Sequence, residues 1–106
     1  MALTVIETAP KITRIEKEYK VIKGYDLTIE IEYDGLPRPT VELLRGSKPV
    51  LGDKNHVIEV DATFRFTIKK STDEDFGDYT IRVKNPCGDA SAEFRIVVMG
   101  KKHVSH

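Results

Sequence analysis

Alternation of apolar and polar residues with a period of two is the feature that most restricts the fold of this chain. In residues 27–34 the apolar side chains are Leu27, Ile29, Ile31 and Tyr33, with polar residues between them. Such alternation is typical of a strand with one face on a core and the other in water. No segment shows a sustained helical apolar period, so we expect almost no helix beyond a turn near residues 72–76. The chain therefore predicts an all-β domain.

Further segments repeat the alternation and are separated by turn-forming residues. We expect strands near residues 10–13, 18–23, 27–34, 40–45, 56–60, 63–69, 79–84 and 90–98. Several short strands with frequent Gly and Pro turns predict a β-sandwich of two antiparallel sheets. Residues 46–49 are expected to form a turn, and Phe66 and Ile68 are expected to point inward. We expect residues 1–9 to be a linker or leader, 10–99 to be the domain and 100–106 to be a polar tail.

The composition argues against several classes of function. Basic and acidic residues number 17 each, so a net charge of zero gives no general attraction to nucleic acid or to an anionic membrane. The single cysteine, Cys87, excludes a disulfide within the chain and favours a reducing, cytoplasmic compartment. No apolar run approaches the roughly 20 residues that span a bilayer, and the sequence shows neither a signal-peptide pattern nor a glycosylation acceptor.

Residues with catalytic or metal-binding chemistry are few and scattered. His56, His103 and His106 could form a metal set, but two of them lie in the tail, and zinc needs three or four close ligands. The acidic run 73–75 lacks the alternating oxygen ligands of a calcium loop. Cys87 has no neighbour in sequence that would clearly activate a redox thiol, and no serine has the setting of a nucleophile elbow. We therefore expect no catalytic, metal or cofactor-binding site.

Five short motifs follow one another in a fixed order. They are Gly-Leu-Pro-Arg-Pro-Thr-Val-Glu-Leu at 35–43, Gly-Ser-Lys-Pro-Val at 46–50, Phe-Thr-Ile at 66–68, Asp-Phe-Gly-Asp-Tyr at 75–79 and Asn-Pro-Cys-Gly at 85–88. This order resembles the I-set class of immunoglobulin domains, especially those of giant muscle proteins of the titin and twitchin type. The resemblance runs from about residue 10 to residue 99. It implies an immunoglobulin-like sandwich with Greek-key connections.

The resemblance also implies roles for individual residues. Asp75, Gly77 and Tyr79 match the corner at which the family's tyrosine hydroxyl returns to upstream backbone. Ile31 and Ile81 stand at the two disulfide positions, and Leu43 stands at the position of the usual tryptophan. The resemblance therefore implies an aliphatic centre in place of a cross-link. Losing a native disulfide typically costs about 2–5 kcal/mol, and burial of an isoleucine contributes roughly 1.5–3 kcal/mol.

By the same resemblance, the chain is a non-catalytic module of an intracellular sarcomeric protein, an elastic spacer and protein-binding unit. Expected partners are sarcomeric filament proteins or neighbouring immunoglobulin or fibronectin-type domains, with a monomer when isolated. Leu36, Arg38, Leu44 and Arg45 form the candidate partner surface, and antiparallel edge pairings of the N-terminal and last strands would bear load in shear. Ser71 stands at a usually apolar position, which raises a question about packing there.

Two alternatives remain open from the sequence. A regulatory module beside a protein kinase domain elsewhere in the polypeptide would share the fold, as would a cell-surface adhesion domain. The missing disulfide argues against the second alternative.

Overall fold

Two packed β-sheets make up the computed structural model, which describes residues 7–100. The strands are β1 Thr8–Arg14, β2 Glu18–Ile22, β3 Leu27–Leu36, β4 Thr40–Arg45, β5 Lys48–Pro49, β6 His56–Val60, β7 Thr63–Ile68, β8 Gly77–Asn85 and β9 Gly88–Met99, with a 3-10 helix at Asp73–Asp75. One sheet has the order β1-β3-β7-β6 and the other β2-β9-β8-β4-β5. The predicted all-β sandwich is confirmed, and the only helix in residues 7–100 lies inside the turn predicted near 72–76.

Several strand ends differ by one or two residues from the sequence prediction, and two of the differences change an assignment. β1 begins at Thr8, inside the segment expected to be linker, because Thr8 pairs with Leu36 and its carbonyl accepts a 2.8 Å hydrogen bond from Asn85 Nδ2. The expected turn at 46–49 contains the short strand β5, which pairs with the end of β4. Residues 1–6 of the expected linker and 101–106 of the expected tail lie outside the described residues.

The expectation of antiparallel pairing at both ends of the chain is wrong for one strand pair. β1 is antiparallel to β3, but β2 runs parallel to β9, from Glu18 opposite Arg95 to Ile22 opposite Met99. The reason is that the N-terminal strand breaks at residues 15–17 and passes to the other sheet without reversing its direction. A strand that keeps its direction in this way can meet the last strand only in the parallel sense.

The core fills the space between the sheets with aliphatic and aromatic side chains. Its buried members are Ile29, Ile31, Tyr33, Leu43, Phe64, Phe66, Ile68, Tyr79, Ile81, Val83, Phe94 and Ile96. Ile31 and Ile81 are 0% exposed and Leu43 is 3% exposed, with Leu43 directly opposite Ile81 in the β4–β8 ladder. These three aliphatic residues therefore lie inside the cluster that joins the two sheets.

Ser71 is buried, and hydrogen bonds rather than apolar contacts hold it in place. Its hydroxyl donates to the carbonyl of Ile22 at 3.2 Å, and its backbone N–H donates to the carbonyl of Tyr25 at 3.0 Å. A buried polar group costs little when it is paired in this way. The serine thus connects the segment after β7 to the turn after β2.

Candidate functional site

The acidic corner, which we define as residues 72–79, runs from the segment after β7 into the start of β8. Thr72 caps the 3-10 helix: its hydroxyl accepts from the N–H of Glu74 at 3.3 Å, and its own N–H donates to Asp75 Oδ2 at 2.8 Å. The Tyr79 hydroxyl donates to the carbonyl of Asp75 at 2.8 Å. Burial raises the pKa of Tyr79, so the hydroxyl keeps the proton that it donates. The corner is therefore fixed from both ends by short hydrogen bonds.

Arg45 closes the open side of the acidic corner. Its Nη2 donates to the carbonyl of Phe76 at 2.7 Å, and its guanidinium carbon lies 5.4 Å from the centre of the Tyr79 ring. Gly77 has φ = 151°, and a Cβ there would lie 3.4 Å from Arg45 Nη2. Glycine allows both the backbone angle and the close approach of the guanidinium. Arg45 thus contacts its own domain, through a carbonyl and an aromatic face.

His56, at the start of β6, joins the acidic corner to the loop that precedes its own strand. Its Nε2 lies 2.7 Å from Asp75 Oδ1, and its Nδ1 lies 2.9 Å from Asp53 Oδ1. The imidazole also stacks on Phe66, with ring centres 6.1 Å apart and an 18° angle between the planes. The sequence analysis weighed His56 only as a metal ligand and missed this arrangement.

The two carboxylates differ in their exposure to water. The side chain of Asp75 is 7% exposed and that of Asp53 is 60% exposed, with His56 at 25%. Burial on its own lowers the pKa of His56, but hydrogen bonds to Asp75 and Asp53 outweigh burial and raise it above its ordinary value. The hydrogen bond to His56 lowers the pKa of Asp53 in return. The arrangement therefore favours an imidazolium between two carboxylates.

The four residues of the candidate partner surface do not lie together. β4 starts beside Lys84, near the end of the sandwich that holds Thr8, and finishes beside Tyr79, near the end that holds Met99. Its six residues span about 20 Å. Leu36 and Arg38 lie at the Thr8 end, and Leu44 and Arg45 lie at the Met99 end.

These candidates also differ in what they contact. Leu36 is 51% exposed, and Arg38 makes only a long 3.9 Å ion pair with Asp61. Leu36, Arg38 and Asp61 line a hollow of about 530 Å³. Leu44 is half-buried beside Pro49, and Arg45 is held in the acidic corner. The Thr8 end therefore offers the more available part of the predicted surface.

Cys87 lies exposed in the β8–β9 hairpin, with its Sγ 3.5 Å from Glu7 Oε2. Partial desolvation and the Glu7 carboxylate raise the pKa of Cys87, which keeps the thiol protonated. Within residues 7–100 no group of three or more His, Cys, Asp or Glu side chains is placed to hold a metal ion. No helix in that part of the chain is long and apolar enough to cross a membrane.

Sheet orders β1-β3-β7-β6 and β2-β9-β8-β4-β5, joined by a tyrosine-pinned corner, define an immunoglobulin-like β-sandwich. The family profile of the immunoglobulin I-set domain matches residues 10–98. The chain belongs to the immunoglobulin I-set family.

Curated relatives include very large muscle proteins. The chain is 37% identical over 75 residues to the muscle M-line assembly protein unc-89 of Caenorhabditis elegans, covering 68% of this chain and 1% of that protein. It is 31% identical over 87 residues to titin of Drosophila melanogaster, covering 81% of this chain and, to the nearest per cent, 0% of that protein. A mouse neural cell adhesion molecule L1-like protein is 34% identical over 83% of this chain and 7% of its own length. The chain thus spans a small fraction of each.

Solved structures share the fold. A complex of a titin domain with an obscurin-like 1 immunoglobulin domain contains a chain that superposes with a TM-score of 0.83. That match has 21% identity and covers 90% of this chain and 98% of the other. At that identity the likeness concerns the fold alone.

Proposed function

We propose that this chain is one non-catalytic module of a long sarcomeric protein, in which it acts as a spacer and a protein-binding unit in the cytoplasm. The observation that carries the proposal is the aliphatic centre of Ile31, Leu43 and Ile81, all at most 3% exposed. Such a core is stable without an oxidising compartment. The names of the muscle relatives support the same setting. Residues 10–99 form the module, extended to Thr8 by β1, and the flanking residues connect it to its neighbours.

The spacer role follows from the way in which the chain enters and leaves. β1 starts at one end of the sandwich and β9 finishes at the other, where β2 runs parallel to it. A force that separates the two ends of the chain slides β2 along β9 and loads their hydrogen bonds together. Two further backbone hydrogen bonds lie at the two ends of this strand pair. The N–H of Arg95 donates to the carbonyl of Lys17 at 2.9 Å, and the N–H of Lys23 donates to the carbonyl of Met99 at 2.8 Å.

Single-molecule stretching of the domain tests the spacer role through Lys23. Lys23→Pro removes the N–H that donates to Met99, and with it the side chain that pairs with Asp73 at 2.9 Å. Lys23→Ala removes only the side chain and is the matched control. We expect the proline variant to unfold at a lower force than the alanine variant. Equal unfolding forces in the two variants would show that this pairing does not bear the load.

The binding role is assigned to the Thr8 end, where Leu36 and Arg38 line the hollow described above. Arg38 has a weakly engaged cationic head, and arginine is enriched at protein contacts, while Leu36 adds an exposed apolar side chain beside it. The partner class is a filament protein or another immunoglobulin or fibronectin-type domain. A related fold is seen in complex with such a domain from obscurin-like 1, which supports the second possibility.

Capture from muscle extract with the isolated domain tests the binding role. We expect recovery of a filament protein or an immunoglobulin-domain protein by the unaltered domain, and loss of that protein with the Leu36→Ser/Arg38→Glu variant. Leu44→Ser, at the other end of β4, is the matched control and should retain the partner. If the Leu36/Arg38 variant retains the partner and the Leu44 variant loses it, the binding surface lies at the Met99 end instead.

Adhesion at the cell surface is the second candidate, because an adhesion-type protein stands among the relatives at 34% identity. Microscopy of the tagged full-length protein in muscle separates the two functions: a striated internal pattern supports the sarcomeric proposal, and surface labelling supports adhesion. A kinase domain in the flanking sequence would instead support a kinase-adjacent regulatory role.

A further inference from the structure

We propose that Asp53, His56 and Asp75 form a protonation-dependent latch that fastens the loop before β6 to the acidic corner. The three side chains come from different segments: Asp53 from the loop, His56 from the start of β6, and Asp75 from the 3-10 helix. His56 bridges them, with one ring nitrogen 2.9 Å from Asp53 and the other 2.7 Å from Asp75. This inference is independent of the function proposed above.

The two short contacts of His56 need two N–H donors, which only the charged form of the imidazole carries. A neutral imidazole carries one N–H donor and one acceptor nitrogen, and an ionised carboxylate can only accept. Both short contacts can be hydrogen bonds only when both ring nitrogens carry protons. Deprotonation leaves one nitrogen lone pair facing a carboxylate oxygen, so one side of the latch must open.

The side that opens is Asp53. Asp75 is 7% exposed and, if its side opened, would be a buried carboxylate without the N–H donor of His56, whereas Asp53 is 60% exposed and can be solvated by water. Asp53 Oδ1 also accepts from the backbone N–H groups of Asn55 and His56, at 2.8 and 2.9 Å. The loop therefore keeps its local turn when it loses the ring contact.

Within residues 7–100, the other charged and titratable side chains around His56 come from β4, β5, the acidic corner and β8. On β4 and β5, Arg45 donates to the carbonyl of Phe76, and Lys48 lines a second hollow, of about 280 Å³, beside Asp53, His56 and Asp75. On the corner and β8, Glu74 and Tyr79 face the hollow, and the Tyr79 hydroxyl is already bonded to a backbone carbonyl. The Asp75 carboxylate therefore has two partners in this structure: His56, and the Thr72 N–H at 2.8 Å.

The latch makes the domain more stable in mildly acidic than in mildly alkaline solution. The pKa of folded His56 is raised relative to an ordinary value of about 6.5. Folding then takes up protons, so the stabilisation is complete below the ordinary pKa and is lost as pH rises through the folded one. Protonation of the carboxylates sets the lower limit of the pH range in which the latch is stabilising. Because the pKa of Asp53 is itself lowered, that limit lies at lower pH than for an ordinary aspartate.

The test uses a His103→Gln/His106→Gln background, in which His56 is the single histidine. Its ring signals are followed by NMR between about pH 5.5 and pH 8, where carboxylates are ionised and Cys87 is protonated. We expect a titration midpoint above that of an ordinary histidine, and a lower midpoint in Asp53→Asn and in Asp75→Asn. Urea unfolding at the two pH limits should show a loss of stability on the alkaline side in the background protein and no such loss in His56→Gln.

Two results would overturn the latch. One is a His56 midpoint at or below the ordinary value in the background protein. The other is an equal alkaline loss of stability in the background protein and in His56→Gln. Asp53→Asn alters an exposed side chain, so the comparison stands even if Asp75→Asn, in the buried corner, fails to fold.

Discussion

Cysteines at positions 31 and 81 should form a disulfide within this domain. Ile31 and Ile81 are both fully buried, one on β3 and one on β8, and these two strands approach within 8 Å between Cα atoms across the core. A disulfide usually joins Cα atoms about 4.4–6.8 Å apart, so the bond requires positions 31 and 81 to be among the closest points of this approach. The perturbation is Ile31→Cys/Ile81→Cys in a chain that also carries Cys87→Ser, which removes the exposed thiol.

The expected magnitude follows from the loop that the bond closes. About 50 residues separate the two positions, and the chain-entropy relation gives about 4 kcal/mol of stabilisation for a loop of that length. Against this, trimming each buried isoleucine to cysteine costs about 1–3 kcal/mol, between the usual Ile→Val and Ile→Ala values. The oxidised variant is therefore expected to be near the stability of the unaltered domain, and the reduced variant to be about 4 kcal/mol below the oxidised one.

Urea unfolding of one preparation with and without reductant measures this difference directly, because the side chains are identical in the two states. Thiol titration reports whether the bond has formed. Ile29→Cys/Ile81→Cys is the matched control, since Ile29 lies on the same face of β3, about 7 Å further along the strand. Free thiols that persist in the 31/81 variant, or efficient disulfide formation in the 29/81 variant instead, would show that Ile31 and Ile81 do not lie opposite each other across the core.

Three further substitutions test the corner and the Thr8 end, each by urea unfolding. Tyr79→Phe removes a buried 2.8 Å hydrogen bond and should cost about 1–3 kcal/mol, while Tyr25→Phe, at a residue that is 58% exposed, should cost nothing measurable. Gly35→Ala places a Cβ 2.7 Å from a proline ring at φ = 153° and should cost about 2–4 kcal/mol, more than Gly46→Ala, where φ is 63° and nothing lies within 4 Å. Asn85→Ala removes donors to two carbonyls at 2.8 and 3.0 Å and should cost about 2–4 kcal/mol. The packing described would be contradicted if Gly35→Ala lost no more unfolding free energy than Gly46→Ala. It would also be contradicted if Tyr79→Phe or Asn85→Ala left the unfolding free energy unchanged.

The strands could be predicted from the sequence because their alternation is local. Each inward residue of β7, for example, is identified by its neighbours alone, and Phe64, Phe66 and Ile68 are all at most 1% exposed. The acidic corner is indicated by the resemblance of Asp-x-Gly-x-Tyr to the family's corner motif, and the Tyr79 hydroxyl reaches back four residues to the carbonyl of Asp75. Both signals lie within a few positions of the residues that they describe.

The parallel β2–β9 pair could not be predicted in this way. The break that sends the N-terminal strand to the second sheet falls at residues 15–17, which contain neither Gly nor Pro. Which sheet each half joins is decided by packing against β3 and β9, distant in sequence. Alternation describes the faces of a strand and carries no information about its partner.

The latch was missed for a similar reason. Asp53 and His56 are only three residues apart, so a contact between their side chains across a turn is a local feature that sequence reasoning could have found. Asp75 is 19 residues from His56 and meets it only because β6 pairs with β7 in one register, with His56 opposite Ile68. A one-residue slip of β6 would turn the imidazole away from the corner.

The aliphatic centre makes folding of this domain free of any oxidation step. A domain that is cross-linked through its core must complete thiol chemistry, which takes seconds to hours, and can trap wrong pairings on the way. Here the residues that join the two sheets are Ile31, Leu43 and Ile81, and the chain's one cysteine lies outside them, exposed in a hairpin. We expect the search for long-range strand pairings to limit refolding, on a scale of about milliseconds to seconds for such topologies. The same unfolding and refolding cycle can be repeated in reducing or oxidising solution without loss of material to mispaired cores.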